Sequence, residues 1–241
     1  MKLSLFLVEK GYFPTRSQAH NAIKEGKVTV NGNIITKDGF EVTDSSSVLV
    51  KSDDYKYVSR GGNKLEAALK AFEISLEKAT CLDIGASTGG FTDCCLQNGA
   101  IKVYSYDVGH DQLAEKIKND SRVVWKDGVN CRNLTKADFE DMIDFICMDV
   151  SFISCRKMFP AIADILSESK KAVILFKPQF EVGSRYLNKK GVVTDTEAVR
   201  RELANCKDEA KALKLSVEGI IEAPIKGQNG NQEYLVLLRK E

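Results

Sequence analysis

The sequence predicts an α/β protein: a mostly parallel sheet with helices on both faces, preceded by a small α+β module. Three observations carry this. Short apolar, strand-like runs alternate with helix-length stretches from about residue 62 to the end. The last two runs are separated by a turn around Gly227–Gly230, too short for a crossover helix, so they are expected to pair antiparallel at the sheet edge. The first 50 or so residues carry a pattern of their own, two helices leading into a hairpin.

Composition bounds the possibilities. The chain has 241 residues, 43% hydrophobic and 29% charged, which suits one core domain plus a small module. Its longest strongly apolar runs, such as Ala172–Phe176 and Tyr234–Leu238, fall far short of the ~20 residues of a membrane span. Met1–Val8 is apolar, but Glu9, Lys10 and Pro14 follow and no small-residue cleavage site appears, so a cytoplasmic protein is expected. Seven cysteines without a CxxC pair and only two histidines argue against zinc and for reduced thiols. Net charge is +1, yet residues 1–37 hold six basic groups (Lys2, Lys10, Arg16, Lys24, Lys27, Lys37) against Glu9 and Glu25.

In the leading module Leu3, Phe6 and Leu7 fall at helical spacing, and Gly11 ends that helix. Thr15 and Gln18 read as a capping box, with Ala19, Ala22 and Ile23 forming the apolar face of the second helix. Gly26 stops it. Val28 and Val30 alternate as a strand, Asn31-Gly32 signals a hairpin turn, and Ile34-Ile35 begin the return strand. Val42 and Val48–Val50 are expected to complete the small sheet. The polar run Asp53-Asp54-Tyr55-Lys56 marks the boundary, giving a module over 1–55, a linker over 56–60 and a second domain over 56–241. Arg16, Lys24 and Lys27 cluster around the second helix, where they suit RNA phosphates or simply a solvated face. The order Thr15-Arg16-Ser17-Gln18-Ala19, Ile23, Gly26-Lys27-Val28 and Val30-Asn31-Gly32 resembles the S4 RNA-binding domain, which implies docking on structured RNA.

In the large domain, strands are expected at Ala79–Ile84, Lys102–Tyr106, Arg122–Trp125, Ile143–Met148, Ala172–Phe176, Val217–Ile221 and Glu233–Leu238. Helices are expected at Gly62–Phe72, Gly90–Asn98, Gln112–Asn119, Ser154–Ser167 and Thr196–Leu215. In such sheets ligands gather at the carboxyl ends of the strands. Asp83, Asp107, Asp127, Asp149 and Lys177 are placed there.

The first strand runs into Asp83-Ile84-Gly85-Ala86-Ser87-Thr88-Gly89-Gly90-Phe91, whose small residues allow a ligand to approach the backbone. It is neither a P-loop nor GxGxxG, and Asp83 would meet a pyrophosphate with negative charge. A cofactor with a cationic centre suits Asp83 better, and Asp107 stands where carboxylates accept ribose hydroxyls. Together these favour S-adenosylmethionine; a merely structural glycine turn is the alternative.

Four polar segments carry the chemistry: Ser59-Arg60-Gly61-Gly62-Asn63-Lys64, Met148-Asp149-Val150-Ser151-Phe152-Ile153, Leu175-Phe176-Lys177-Pro178-Gln179-Phe180-Glu181, and Asn229-Gly230-Asn231-Gln232-Glu233-Tyr234. Lys64 and Lys177 with Asp149 and Glu233 would converge on one rim if the last strand runs antiparallel. A neutral lysine there could take a proton from a ribose hydroxyl. Two structural ion pairs at a wet cleft remain the alternative reading.

With Tyr57-Val58-Ser59-Arg60-Gly61-Gly62-Asn63-Lys64-Leu65, Asp107-Val108-Gly109, Asp149–Ser154, Phe176–Glu181, Ile225-Lys226-Gly227 and Gly230–Glu233 in this order, nearly the whole chain resembles the TlyA-type, or hemolysin-like, ribosomal-RNA 2'-O-methyltransferases. Their catalytic domain is similar to the FtsJ/RrmJ class. The resemblance implies a Rossmann-like class I S-adenosylmethionine-dependent methyltransferase fold behind the S4 domain. It implies a catalytic tetrad of Lys64, Asp149, Lys177 and Glu233, with Lys177 as the base oriented by Asp149. It implies a donor site built from Asp83, Gly85, Ala86, Ser87, Thr88, Gly89, Gly90 and Phe91, with Asp107 and Val108 at the adenosine ribose, Asp127 and Gly128 near the adenine, and Asp149 beside the donor. Arg60 joins Arg16, Lys24 and Lys27 as an RNA contact. The implied activity is 2'-O-methylation of a cytidine in ribosomal RNA or a ribosomal subunit.

The pattern departs from the family in two places. Asp111 precedes Gln112 where glycine is usual, and Asp127-Gly128-Val129-Asn130 replaces Glu-Arg-Thr-Asn. The short leader before Leu3 favours large-subunit (23S) over small-subunit (16S) RNA. No metal, no membrane contact, and a monomer or weak homodimer are expected. Three rivals are a non-catalytic RNA-binding assembly factor, a membrane-active hemolysin, and an N-methylating enzyme. The last would show an Asn/Asp-Pro-Pro-aromatic strand end, whereas this chain reads Asp149-Val150-Ser151-Phe152.

Overall fold

The computed structural model describes residues 1–13, 16–37, 39–43, 46–50, 56–227 and 230–241, with Ser17 by its backbone alone. The chain divides into two compact units, Met1–Tyr55 and Lys56–Glu241.

In the first unit, helices α1 (Leu3–Glu9) and α2 (Arg16–Lys24) pack against a three-stranded antiparallel sheet of β1 (Val28–Val30), β2 (Asn33–Ile35) and β3 (Val48–Val50), in the order β2-β1-β3. Leu3, Leu7, Ala19, Ile23 and Val28 are fully buried, so the helical spacing and strand alternation point at one core. Asn31 at φ 49° and Gly32 at φ 80° make the hairpin turn, which pairs Val30 with Asn33. Val42 departs from expectation. It is 2% exposed but lies outside the sheet, its N–H donating to the Met1 carbonyl beside a Lys2–Glu41 bridge. Thr15 of the expected capping box, the Asp53–Tyr55 run and Asn229 lie outside the described residues.

The second unit starts with α3 (Gly61–Ala71). It continues through β4 (Thr80–Ile84), α4 (Gly90–Gln97), β5 (Lys102–Tyr106), α5 (Glu115–Lys118), β6 (Val123–Lys126), β7 (Ile143–Met148), α6 (Phe159–Ile165), β8 (Leu166–Phe176), α7 (Thr196–Ala212), β9 (Leu215–Glu222) and β10 (Tyr234–Lys240). The sheet order is β6-β5-β4-β7-β8-β10-β9. The five strands from β6 to β8 are parallel, and β10 is antiparallel to both its neighbours. One core cluster lies on each face: Leu82, Ile146 and Ile174 among the first, Cys81, Cys147, Val173 and Leu235 among the second. A side chain of this kind brought from water to full burial contributes roughly 1.5–3 kcal/mol. All seven cysteines are buried and free.

As expected, the last two strands pair antiparallel at the sheet edge, with β10 against β8 and half-exposed β9 outermost. Two expected helices differ, each for a physical reason. The helix expected over 112–119 shrinks to Glu115–Lys118, because Asp111 N–H is bound by Asp127 Oδ2 at 2.8 Å and Gln112 Oε1 accepts from Ser87 Oγ at 3.1 Å. The helix expected over 154–167 divides into a 3-10 turn, Cys155–Met158, and α6, where Pro160 sits in the first turn as its missing N–H requires. Beyond Ile165 the chain is already extended, with Leu166 paired to Ile143.

Candidate active site

The strand ends form one rim. Ile84 pairs with Tyr106, Tyr106 with Lys126 and Ile84 with Met148, so Asp107, Asp127 and Asp149 follow side by side. Asp83 does not join them. It lies one residue inside β4, pairs with Ser105 and Cys147, and is fully buried. Strand alternation turns its carboxylate toward α4, where Oδ2 accepts from Thr92 Oγ1 at 2.7 Å and Thr92 Oγ1 meets Ser105 Oγ at 2.6 Å. Asp83 Oδ1 is buried and has no partner. Burial pushes the acid up to about 7, against the lowering effect of the Thr92 bond.

The two lysines and two carboxylates come together. Lys64 sits in the first turns of α3 on the face that buries Leu65, Ala68 and Leu69, and its Nζ donates to Glu233 Oε2 at 2.6 Å. The pair is buried, with side chains 11% and 3% exposed. Lys177 directly follows β8, and its Nζ lies 2.6 Å from Asp149 Oδ1, directly after β7. That contact is an ion pair without a directed hydrogen bond; the directed bond goes to Ser151 Oγ at 2.7 Å. The β8–β10 register pairs Tyr234 with Phe176, so Glu233 and Lys177 are next in line and opposite. Gly227 lies so close to Glu233 Oε1 that a Cβ there would collide with it.

The loop after β4 borders this cluster. A Cβ at Gly85, where φ is 81°, would stand 2.6 Å from the Asp149 carbonyl oxygen, so only glycine lets the loop pass the end of β7. Asp107 organises the loop: Oδ2 accepts from Ser87 N–H at 2.8 Å and Oδ1 from Gly109 N–H at 2.7 Å. An ionised carboxylate has about four acceptor sites, so Asp107 keeps capacity for ribose hydroxyls. Ser87, Val108 and Gly128 are exposed beside it, and Asp127, Gly85 and Thr88 are half-buried. Ala86, Gly89 and Gly90 are buried. Phe91 is 3% exposed in the core, which makes it an anchor of the loop rather than a wall of a ligand site. The residues fit a cationic nucleoside donor: a glycine-cleared backbone, an acceptor with free lone pairs, and an orphaned buried carboxylate oxygen beneath. Asp83 itself is fully buried and has no open face toward the loop.

Several positioning groups escape motif reasoning. Ser151 holds the Lys177 ammonium. Glu181, 1% exposed at its side chain, accepts from Ser154 Oγ at 2.7 Å, Cys155 N–H at 2.8 Å and Arg156 Nε at 3.2 Å. It therefore ties the chain after β8 to the chain after β7, and with it Lys177 to Asp149. The signal was an acid inside the Lys177 motif without an assigned task. Phe152 is 91% exposed at φ 63° and lies 5.3 Å from the Phe180 ring, ring centre to ring centre. Such backbone strain in a bulky residue clusters at functional sites.

In the first unit Arg16 and Lys24 are exposed on α2, while Lys27 pairs with Glu25 at 2.6 Å. Arg60 is half-buried just before α3. Among the described residues no group of three or more metal-ligating side chains could hold a metal ion, and no helix is long and apolar enough to cross a membrane.

Comparison with known proteins shows the family of both units. Residues 57–240 match the family of FtsJ-like methyltransferases, and residues 1–48 match the S4 domain. Hemolysin A of Brachyspira hyodysenteriae is 42% identical over 98% of this chain and 98% of its own. The 16S/23S rRNA (cytidine-2'-O)-methyltransferase TlyA of Mycobacterium tuberculosis is 39% identical over 98% of this chain and 88% of its own. A solved structure from Streptococcus thermophilus, 40% identical, covers 100% of this chain and 88% of that one with a TM-score of 0.80. An S-adenosylmethionine dependent methyltransferase from Mesorhizobium loti shares the fold alone, at 14% identity and a TM-score of 0.55 over 73% of this chain and 98% of that one. With two ion pairs gathered at the carboxyl rim of a class I methyltransferase sheet behind an S4 domain, the chain belongs to the FtsJ-like methyltransferases of the TlyA, or hemolysin-like, family.

Proposed function

We propose that the protein methylates the 2'-hydroxyl of a cytidine ribose in ribosomal RNA, using S-adenosylmethionine, and that it does so in the cytoplasm. The observation that carries the reading is the alignment of Lys177 between Asp149, Ser151 and Glu233 at the rim, against the glycine-cleared donor loop. S-adenosylmethionine, when bound, supplies an electrophilic methyl group on a sulfonium.

The residues of the chain do the rest. A 2'-hydroxyl is a poor nucleophile and must shed its proton as it attacks. Lys177 Nζ, in its neutral form, takes that proton, and Asp149 then stabilises the ammonium that results. Ser151 suits both states, since a hydroxyl accepts from the ammonium and donates to the amine. Lys64 and Glu233 neutralise each other and hold the ribose side of the rim. Asp107 takes the donor's ribose hydroxyls, with Val108, Asp127 and Gly128 around its base. Phe152 offers an exposed π-face to an unstacked nucleobase. Arg16, Lys24, Lys27 and Arg60 contact the RNA backbone through their charge.

The test is transfer to deproteinised 23S and 16S RNA from cells lacking the protein, with ribose methylation mapped at single nucleotides. A new 2'-O-methylcytidine is expected, and large-subunit RNA is the substrate assigned first. RNA that is bound but never methylated favours the non-catalytic assembly factor. A methyl group on a base would overturn the ribose chemistry.

A further inference from the structure

We propose that residues 184–193 form a rigid basic finger of the catalytic unit that grips the phosphodiester backbone of the RNA beside the target ribose; this rests on the RNA-methyltransferase reading above. The segment leaves the sheet after Lys177 and the Pro178–Phe180 turn. A 3-10 turn over Ser184–Tyr186 opens it, and a Leu187–Val193 bridge closes it into a narrow loop. Asn188 braces the inside: its Oδ1 accepts from Lys190 N–H at 2.8 Å and Val192 N–H at 3.1 Å, while its N–H donates to the Val192 carbonyl at 2.9 Å. Gly191 turns the tip at φ 74°. The backbone at the tip is thus bonded to itself, and Lys189 and Lys190 stand exposed upon it.

The finger is also fastened to the catalytic rim. Val193 N–H donates to Asn231 Oδ1 at 2.8 Å, and Asn231 Nδ2 donates to the Gly191 carbonyl at 2.9 Å. Asn231 is 2% exposed and stands two residues before Glu233. The lysines therefore keep a set distance from the group that meets Lys64, which a flexible loop would not provide.

The charge on this surface is unbalanced. Arg200 and Arg201 have carboxylate partners in Glu197 and Glu202, but among the described residues no carboxylate pairs with Arg185, Lys189 or Lys190. Arg185 instead donates to Tyr186 Oη at 2.8 Å, and Arg201 donates to the same oxygen at 3.4 Å. Both guanidiniums lie over the Tyr186 ring, at 4.7 and 5.4 Å from its centre. Gathering cations on a stiff support is unfavourable in isolation and is relieved when phosphates replace released counterions. Ordering the finger in advance lowers the entropy cost of that binding. No large apolar side chain is exposed along the finger, so it lacks what insertion into a lipid surface requires.

The full-length Lys189→Ala/Lys190→Ala variant tests this with deproteinised ribosomal RNA as the probe, titrated across salt. Each phosphate partner removed lowers the salt slope by about 0.7–0.9, so the slope should become shallower by roughly 1.4–1.8. Affinity near 0.1 M salt should fall about tenfold or more and KM for RNA should rise, with donor binding unchanged. A Lys70→Ala/Lys78→Ala variant removes the same charge elsewhere and should leave the slope as it was. An unchanged slope in the finger variant, or an equal change in the control variant, overturns the proposal. So does a loss confined to intact ribosomal subunits, which would assign the finger to a protein. Binding is read without transfer. A wild-type chain that methylates nothing yet binds RNA through Lys189 and Lys190 sinks the methylation reading alone.

Discussion

Glu233 stands opposite Lys177 at the end of the β8–β10 ladder, in the position after the Tyr234–Phe176 pair. Each of the two residues already holds an oppositely charged partner, Lys64 for Glu233 and Asp149 for Lys177. These four groups therefore form two neutral pairs, beside the carboxylates of Asp107 and Asp127. Among the described residues the Lys177 pair has a second, hydroxyl partner in Ser151, which the proposed proton transfer uses.

Lys177→Ala is expected to lower methyl transfer at least a hundredfold, the usual size of general-base catalysis. Donor affinity, measured by calorimetry, should stay within about twofold. Lys177→Arg keeps the positive charge but cannot give up its proton, and should be as inactive. An active arginine variant would reduce Lys177 to an electrostatic role. Ser151→Ala removes a hydrogen bond to a charged group, of about 1.5–3 kcal/mol, and should cost roughly ten- to a hundredfold in turnover.

The Lys64–Glu233 pair makes a prediction about stability. Removing one member of a buried ion pair leaves an uncompensated charge and costs about 3–5 kcal/mol. Lys64→Ala and Glu233→Ala should each lower the denaturant midpoint strongly. The double variant Lys64→Met/Glu233→Leu replaces both charges with apolar groups of similar size and should recover most of that loss. It should remain inactive. Recovered activity in the folded double variant would show that the pair is structural only.

The alternation of strands and helices, the antiparallel last pair and the small leading unit were readable because each depends on local signals that agree. Asn31-Gly32 carries its own turn geometry, and Lys177-Pro178 ends a strand whatever surrounds it. The differences arise where tertiary contacts decide. Asp83 looks like a strand-end acid, but the pleat turns it inward to Thr92, and a shift of one residue separates rim from interior. Residues 112–114 fall within the expected helix, yet Gln112 is taken up by Ser87 of the loop after β4, and Asp111 before it by Asp127. Glu181 shows its role only when two segments distant in sequence lie side by side.

Asp83 gives the pH dependence. Its folded value of about 7 exceeds the unfolded carboxylate value of ~3.9, so between those limits the folded chain holds a proton that the unfolded chain has lost. Stability attributable to Asp83 is therefore present below about pH 4 and declines as pH rises to about 7. Asp83→Asn removes the decline, so its melting temperature should gain on wild type by at least ~4 °C between pH 5 and pH 8. A cationic donor prefers the ionised form, so donor affinity in wild type should weaken as pH falls below about 7 and the variant should flatten that profile. Parallel profiles in both proteins would exclude Asp83 from donor recognition.

Phe152 joins strain to exposure. A bulky residue at φ 63° costs roughly 1–3 kcal/mol, and at 91% exposure it recovers little by burial. Phe152→Gly should therefore be more stable than both wild type and Phe152→Ala. If the ring stacks on the target base, both variants lose about 1–3 kcal/mol of RNA transition-state binding, a fall in kcat/KM of roughly five- to over a hundredfold. Wild-type kcat/KM in both would leave the strain without a functional account.

Arg16 tests the first unit. It is exposed at the first residue of α2, outside the buried set Ala19, Ala22 and Ile23, so Arg16→Ala should leave folding unchanged within about 0.5 kcal/mol. Taking one cation away from the RNA phosphates should make the salt slope of binding shallower by about 0.7–0.9. Lys27, already paired with Glu25, should contribute less, because its charge is partly compensated before RNA arrives. Donor affinity should be the same in both variants. Equal slopes for wild type and Arg16→Ala would take α2 off the RNA interface, while a larger effect from Lys27→Ala than from Arg16→Ala would show that the Glu25 pair opens on binding.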